Sequence, residues 1–324
     1  VVGRTVGDVV YARRLEDGAV GELPAEALAN LLPTDLALRP RAIFGAHRKR
    51  FRSIRIEARG SVAQTIVRDD SGKFALEAPR GEGLRVDQAL ADDLAEAIGD
   101  LVAESFVRAS DDGSFGLAEP RITIEATLNE EPDEDAPPSG EARTIRLALG
   151  AATSRGSYAQ QSGDPAVFVV SKSFELKLTG LLVDRASPTI DLEGASRIVL
   201  AANGGARAVT VERASAKDDA AFRVAGESGA EADAKVAAVL HALADLGAEA
   251  AVSTGPAEKG QGFERPVLTI AVTPREPAAG VARLAIGAGD VYRGASIYYV
   301  RREGVAATFA VAQSKVRPLL DAMR

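Results

Sequence analysis

Two stretches of the chain show the same succession of hydrophobic patterns. Alternating, strand-like runs at 53–57 and 196–200 are each followed by a glycine-containing turn and a second strand-like run. In the second stretch the turn is Asn203-Gly204, and this dipeptide supplies the positive φ angles that tight hairpin turns require. A third strand-like run contains Phe74 in one stretch and Phe222 in the other. Each stretch is therefore predicted to open with three antiparallel strands.

A helix is predicted next in both stretches, because apolar residues then recur at helical spacing. Asp87 is a candidate N-cap for the first helix, and Asp233 lies near the start of the second. Each helix has a single apolar stripe, so each is expected to pack on a sheet. The stripe residues are Leu90, Leu94, Ile98, Leu101 and Val102 in the first helix, and Val236, Val239, Leu240, Leu243 and Leu246 in the second.

The correspondence continues to the end of both stretches. The segment 115–124 aligns with 262–270, the strand 147–150 with 284–287, and an apolar strand at 167–170 with one at 308–311. Each stretch closes with a short helix, over 174–182 or 315–323. The fold class predicted is α+β, a tandem repeat of units that each have a mainly antiparallel sheet with two helices on one face.

This reading divides the chain into three parts. Residues 51–190 form repeat unit 1 and residues 191–324 form repeat unit 2. Residues 1–50 are interpreted as the C-terminal remnant of a preceding repeat, including a closing helix over 24–32, plus a linker. We expect units joined like beads with modest mutual contact, through linkers near 36–51 and 183–196.

The composition narrows the function classes. The 324 residues contain no cysteine, which excludes disulfides, thiolate nucleophiles and zinc–thiolate sites. A net charge of −7 is unlike that of a general nucleic-acid-binding protein, and no apolar run approaches the length of a membrane span. Met323 is the only methionine, and any export signal or membrane anchor is expected upstream of this sequence.

Candidate catalytic and metal-binding residues are few. His47 and His241 lack the spaced partners that zinc sites require, so both are interpreted as exposed. Gly287-Ala288-Gly289 resembles a phosphate loop, but a strand pattern follows it where a helix is needed, which favours a hairpin. The acidic run at 130–135 lacks the ligand spacing of a calcium loop and is interpreted as a solvated loop between strands. We therefore predict no enzyme activity, no cofactor and no metal.

A basic cluster at the start of unit 1 is the main candidate contact site. It stands out because the chain is otherwise acidic and no acid interrupts the cluster. It could bind anionic lipid head groups, an acidic partner or a polyanionic glycan, or it could be a solvated linker paired with acids of a neighbouring unit. Its members are Arg39, Arg41, Arg48, Lys49, Arg50 and Arg52.

Several of these motifs resemble a bacterial envelope family, the domain-of-unknown-function family 4340. The family pattern includes an Ala-Asp helix start, Gly-Leu-x-x-Pro-x-x-x-Ile, Leu-x-Ile-Gly, Tyr-Tyr-Val-Arg and a closing Leu-Leu. The family usually has Trp in the third strand, where this chain has phenylalanine. The motifs correspond here to Ala232-Asp233, Gly116-Leu117 with Pro120, 284–287, 298–301 and Leu319-Leu320.

This resemblance implies a setting at the bacterial inner membrane, beside ABC-type transporter or gliding-motility auxiliary proteins. The leading hypothesis is a non-catalytic structural or interaction module of a membrane-tethered periplasmic protein that has protein partners. The alternative is a ligand- or glycan-binding module with a cleft between the two repeats, near Arg185 and Arg197.

Overall fold

The computed structural model describes residues 2–24, 36–129, 142–215, 221–276, 278 and 280–324. Residues 48–50 and 203–205 form single 3₁₀ turns. The strands of the first part and of unit 1 are β1 (Val2–Val6), β2 (Val9–Arg13), β3 (Val20–Pro24), β4 (Phe51–Ala58), β5 (Gln64–Arg68), β6 (Phe74–Ala78), β7 (Ser105–Arg108), β8 (Ile122–Asn129), β9 (Ala142–Ala152), β10 (Gly156–Gln161) and β11 (Val167–Ser171). Unit 2 contains β12 (Ala195–Ala202), β13 (Arg207–Arg213), β14 (Phe222–Val224), β15 (Ala250–Thr254), β16 (Leu268–Pro274), β17 (Ala282–Tyr292), β18 (Ala295–Arg302) and β19 (Ala307–Ala312). The helices are α1 (Gln88–Gly99), α2 (Lys172–Leu178), α3 (Ala230–Ala244) and α4 (Gln313–Asp321).

Two eight-stranded sheets have the same strand order. The first runs β6-β5-β4-β8-β9-β10-β11-β7, and the second runs β14-β13-β12-β16-β17-β18-β19-β15. Neighbouring strands pair antiparallel throughout both sheets. The prediction of mainly antiparallel sheets is confirmed, and two units of matching topology fit the predicted repeat.

The core of unit 1 lies between its sheet and its helices. Alternation along β8 directs every second side chain to one face, and all four of these side chains are at most 3% exposed. Leu94 and Ile98 of α1 join the same buried cluster, as do Phe174 and Leu178 of α2. The predicted cap at Asp87 is confirmed, since its carboxylate accepts a hydrogen bond from the Leu90 amide at 3.1 Å.

Both units brace their first three strands with an arginine. In unit 1, Arg68 Nε donates to the carbonyl of the first residue of β4 at 3.1 Å, and its guanidinium lies 3.9 Å from the centre of the Phe74 ring. In unit 2, Arg213 Nε donates to the carbonyl of the first residue of β12 at 2.8 Å and lies 4.4 Å from the Phe222 ring. The phenylalanine of the third strand therefore packs against a cation in both copies.

A glycine permits a close backbone crossing in each unit. A Cβ on Gly150 would lie 2.1 Å from the Phe115 carbonyl oxygen, and one on Gly287 would lie 2.0 Å from that of Gln261. The amide of the residue after each glycine donates to the same carbonyl, at 2.7 and 2.8 Å. These crossings give a physical reason for the glycine that ends the Leu-x-Ile-Gly motif.

The units touch over a small apolar cluster at the predicted linker, and the expectation of beads with modest contact stays a prediction. Val183, in the predicted linker, and Phe309 are both 0% exposed, and Leu76 and Leu84 of unit 1 pack against them. The Ala306 amide of unit 2 donates to the Glu82 carbonyl of unit 1 at 2.8 Å. The linker is apolar at the point where the units meet, and burying it there draws them together.

Polar contacts fix the same junction. The Leu182 amide donates to Gln64 Oε1 at 2.7 Å, and Arg185 Nε donates to Asp87 Oδ2 at 2.8 Å. Burial of the Asp87 carboxyl disfavours its charge, but the Arg185 guanidinium and the Leu90 amide outweigh this effect. The pKa of Asp87 is therefore lowered below its ordinary value of 3.8.

The first part of the chain forms a small antiparallel sheet of order β1-β2-β3. Strands β17, β18 and β19 are neighbours in the same sequential order in unit 2. The predicted closing helix over 24–32 falls outside the described residues except for Pro24, which ends β3. Interpretation of this part as the remnant of a preceding repeat stays a prediction, as do the domain boundaries.

The glycine crossings can be tested by adding one methyl group. We expect Gly150→Ala and Gly287→Ala each to lower the free energy of unfolding by about 1–3 kcal/mol, because the backbone must shift to admit Cβ. Gly194→Ala is the matched control, since its Cβ would meet nothing within 4 Å. Denaturant unfolding monitored by circular dichroism measures the difference. Equal stability of all three variants would contradict this account.

The junction carboxylate predicts a pH dependence. Asp87→Asn keeps a helix-capping oxygen but removes the charge that pairs with Arg185. Because the pKa of Asp87 is lowered in the folded state, its stabilising contribution is complete above pH ~4 and is lost as pH falls through the folded-state pKa. We expect a loss of about 1 kcal/mol at pH 7. The difference in stability between this variant and the parent chain, followed by thermal unfolding, should become steadily smaller below pH ~4. Asp70→Asn, on an exposed loop, is the control and should have the same stability as the parent chain at every pH.

Candidate functional site

The predicted basic cluster is partly anchored on unit 1. Arg39 donates from one nitrogen to both Asp164 oxygens, at 3.0 and 2.9 Å, and lies 5.4 Å from the centre of the Phe106 ring. Burial of the Asp164 carboxyl is outweighed by the Ala166 amide and the Arg39 guanidinium, which together lower its pKa.

The other members of the cluster divide into two groups. Arg48 pairs with Glu96 of α1 at 3.0 Å, and Arg50 Nε donates to the Asn129 carbonyl at 3.2 Å. The remaining three cations, Arg41, Lys49 and Arg52, are exposed. Pairing with acids of a neighbouring unit therefore describes Arg39 and Arg48, while contact of the cluster with an anionic partner stays a prediction.

The weaker candidates of the sequence have structural surroundings. His47 and His241 are both exposed, and His47 Nδ1 accepts from the amide of the second residue after it at 3.3 Å. Gly287-Ala288-Gly289 lies inside β17, and Gly294 lies in the turn to β18, as the hairpin interpretation requires. The acidic run at 130–135 falls outside the described residues. Tyr158 packs edge-on against Phe115, with ring centres 4.8 Å apart.

A partly buried polar network in unit 1 was not predicted from the sequence. Arg121 donates to the Gly150 carbonyl at 2.8 Å, to Ser157 Oγ at 2.6 Å and to Glu175 Oε1 at 3.0 Å. Ser157, which is 0% exposed, donates to the other Glu175 oxygen at 2.7 Å. Serine, arginine and glutamate together could suggest catalysis, but each group is bonded to the others and ties α2 to β8 and β10.

A second network lies in unit 2. Arg301 donates to Thr308 Oγ1 and to the Gly255 carbonyl, both at 2.8 Å. Thr308, which is fully buried, donates to Gln261 Oε1 at 2.9 Å, and the Gln261 amide nitrogen donates to Ser253 at 3.0 Å. Desolvation lowers the pKa of Arg301. These groups also satisfy one another, so the network serves as a brace at the edge of the sheet.

The outer face of the second sheet, on the side away from Leu284 and Ile286, forms a groove of about 910 Å³. Its strands contribute small apolar side chains, and two loops add Pro256 and Phe263. One ion pair, Arg283–Glu303 at 3.0 Å, lies among the lining residues. The apolar strand residues are Val199, Ala201, Ala271 and Ala285.

The outer face of the first sheet carries charged residues at the strand positions where the second sheet has apolar ones. Arg55 lies opposite Glu125 in the β4–β8 pair, where Val199 lies opposite Ala271 in the β12–β16 pair. Arg55 forms an ion pair with Glu57, and Arg146 forms one with Glu125 at 2.7 Å. This face encloses a volume of about 410 Å³. Ion pairs therefore lie across the outer face in unit 1, whereas the equivalent face in unit 2 is mainly apolar and includes the Arg283–Glu303 ion pair.

A smaller cavity of about 240 Å³ lies at the junction of the units. Lys177 and Arg185 line it from the unit 1 side and the linker, and Glu249 and Arg293 line it from unit 2. Arg197, the other residue predicted for a junction cleft, is exposed on β12 and is absent from this lining.

The described residues contain neither a membrane-spanning helix nor a group of metal ligands. None of the helices in this part of the chain combines the length and apolar character needed to cross a bilayer. Over the same residues, no three His, Cys, Asp or Glu side chains are grouped as metal ligands would be.

Comparison with known proteins gives one match. A family model described as "Domain of unknown function (DUF4340)" matches residues 109–266. The matched segment begins directly after β7, crosses the junction between the units and ends two residues before β16. This segment contains the Gly116-Leu117 and Ala232-Asp233 motifs. No curated protein and no solved structure matches the chain. The resemblance inferred from the sequence motifs is confirmed over residues 109–266, the segment that matches the family model.

Proposed function

We propose that this chain is a non-catalytic interaction module of a membrane-tethered bacterial envelope protein, facing the periplasm and accessory to a transporter or surface machine. The match of residues 109–266 to the family model motivates the envelope setting. The outer face of unit 2 is the proposed contact surface for a protein partner. No cofactor is part of this proposal.

The difference between the two outer faces carries the proposal. The units share strand order, the arginine brace and the glycine crossing, so the framework of the repeat is kept in both copies. Their outer faces differ, since ion pairs in unit 1 are replaced by Val199, Ala201 and Ala271 in unit 2. An apolar patch bordered by charge is typical of a protein contact site.

The polar groups around the groove favour a protein over a small ligand. Small-molecule sites aim a few polar groups into an apolar pocket to orient the ligand. Here Arg301, Thr308 and Gln261 already bond to one another and to the Gly255 carbonyl. The groove therefore offers mainly apolar area.

The fold itself is part of the proposal. In each unit we propose that both helices cover the same face of the sheet, which leaves the opposite face for contacts. Support comes from the shared clusters, in which α1 and α2 residues are buried together in unit 1, and α3 and α4 residues together in unit 2.

The alternative is a ligand- or glycan-binding module with its site between the units. The junction cavity supports it because Lys177, Arg185 and Arg293 lie around it. At about 240 Å³ the cavity is smaller than the roughly 300–1,000 Å³ of most ligand sites, and Arg185 is already paired with Asp87. For this reason the groove is the preferred site.

Photo-crosslinking at two matched threonines tests the proposal. A photoreactive amino acid would replace Thr269, in the groove, or Thr123, its equivalent on unit 1, in the parent protein within its native cells. We expect one discrete protein adduct, in the envelope fraction, from position 269 and none from position 123.

A charge substitution in the groove gives a second test of the contact site. Ala271→Glu copies Glu125 of unit 1 and places a carboxylate opposite Arg283, so the fold should persist while the apolar surface is interrupted. We expect it to reduce the adduct at least tenfold with unchanged circular dichroism. Adducts of equal yield at both threonines would refute the groove as the contact site, and an adduct with cytosolic proteins would refute the envelope setting.

A further inference from the structure

Both linkers carry the same short motif. Leu-x-x-Arg-Ala occurs at 38–42, before unit 1, and again at 182–186, before unit 2. In each linker the arginine carbonyl accepts a hydrogen bond from the segment after the next long helix, from Ala103 at 2.8 Å and from Ala248 at 3.0 Å. The two linkers thus lie on their following units in the same way.

The second linker also binds the unit before it. Leu182 is 4% exposed, and its side chain belongs to the core cluster of unit 1. Its amide donates to Gln64 Oε1 at 2.7 Å, and its carbonyl accepts from the Asp87 amide at 2.8 Å. Arg185 Nε donates to the Asp87 carboxylate at 2.8 Å. Leucine and arginine of the motif are therefore both bound to the preceding unit.

The same two side chains in the first linker are exposed. Leu38 is 69% exposed although its equivalent, Leu182, is buried, and Arg41 is exposed where Arg185 has a carboxylate partner. The contrast lies in the surroundings, because Leu182 is buried against the core of the unit before it, whereas Leu38 has no such surface against it among the described residues.

We propose that Leu38 and Arg41 form a plug that docks into a preceding copy of the repeat unit. That preceding unit, the receptor, must present a side-chain amide that accepts from the Leu38 backbone N–H. It must also present a helix N-cap carboxylate for Arg41, as unit 1 does for Leu182 and Arg185 through Gln64 and Asp87. This docking joins units of one chain and does not depend on which partner binds the groove. It therefore goes beyond the proposed function.

Residue differences between the copies define this docking further. Pro40 occupies the place of Asp184, whose amide donates to the Arg85 carbonyl at 2.8 Å, so one main-chain hydrogen bond cannot recur. Unit 2 does not repeat this receptor. Val209 lies at the position of Gln64, and the N-cap of its long helix is Gly229, so the side-chain amide and the N-cap carboxylate are both missing there.

The first test uses the 324-residue chain. We expect Leu182→Asp to lower the midpoint of thermal unfolding by at least 5 °C, because it places a charge in the junction. Leu38→Asp, the matched control at the equivalent position, should leave the midpoint unchanged within about 1 °C. A large loss of stability in Leu38→Asp would show that Leu38 belongs to unit 1 itself and would overturn the proposal.

The second test supplies the missing receptor. A three-unit chain would carry a copy of residues 51–179 directly before residue 36, in place of residues 1–35. We expect hydrogen exchange at the Leu38 amide to slow at least tenfold relative to the 324-residue chain, toward the rate at Leu182. Glutamine-to-alanine substitution at the added copy of position 64 should remove this protection.

The outcomes separate the explanations. Protection that requires the added glutamine supports docking of a repeat unit. Unchanged exchange at Leu38, with Leu182 protected and the added copy folded by circular dichroism, overturns the proposal. Neither outcome bears on crosslinking at Thr269, so failure here and failure of the proposed function are distinguishable.

Discussion

The alternation of side chains along the strands is the constraint on which this molecule depends. One face of each sheet must be apolar to bury the helix stripes, and the residues between them must point to the other face. A shift of one residue in β8 would exchange Ile122, Ile124, Ala126 and Leu128 for the polar positions between them. The inner faces therefore tolerate little change, whereas the outer faces are free to diverge.

The two copies differ according to this division. Arg68 and Arg213 keep the same carbonyl and aromatic partners, and Gly150 and Gly287 permit the same backbone crossing. On the outer faces, the Arg55–Glu125 register pair of unit 1 corresponds to Val199–Ala271 in unit 2. The framework and the surface have thus changed to different extents after duplication, which supports a search for function on the surface.

Much of the fold could be predicted because its signals are local. Hairpin turns, helix stripes and the Asp87 cap each involve residues within a few positions of one another, and their repetition identified the two matching units. The polar networks could not be found in this way. Arg121 meets Ser157 and Glu175 only because β8, β10 and α2 converge, and none of these residues forms a recognisable motif with its neighbours in sequence.

The candidate site was missed for a related reason. Val199, Ala201 and Ala271 are unremarkable strand residues. Their importance emerges only when sheet register places them beside one another, at positions equivalent to those of the charged residues of unit 1. The Leu-x-x-Arg-Ala motif was visible in the sequence but occurs in segments interpreted as linkers. The burial of Val183 could not be foreseen either, because it requires surfaces from both units.

The linker 180–186 contacts the preceding unit and the following unit at the same time. A connection of this kind behaves as a joint with little freedom rather than as a tether, because rotation of one unit would break Asp87–Arg185 and expose Phe309 together. A molecule bound to the outer face of unit 2 would consequently be held at a set distance and angle from unit 1.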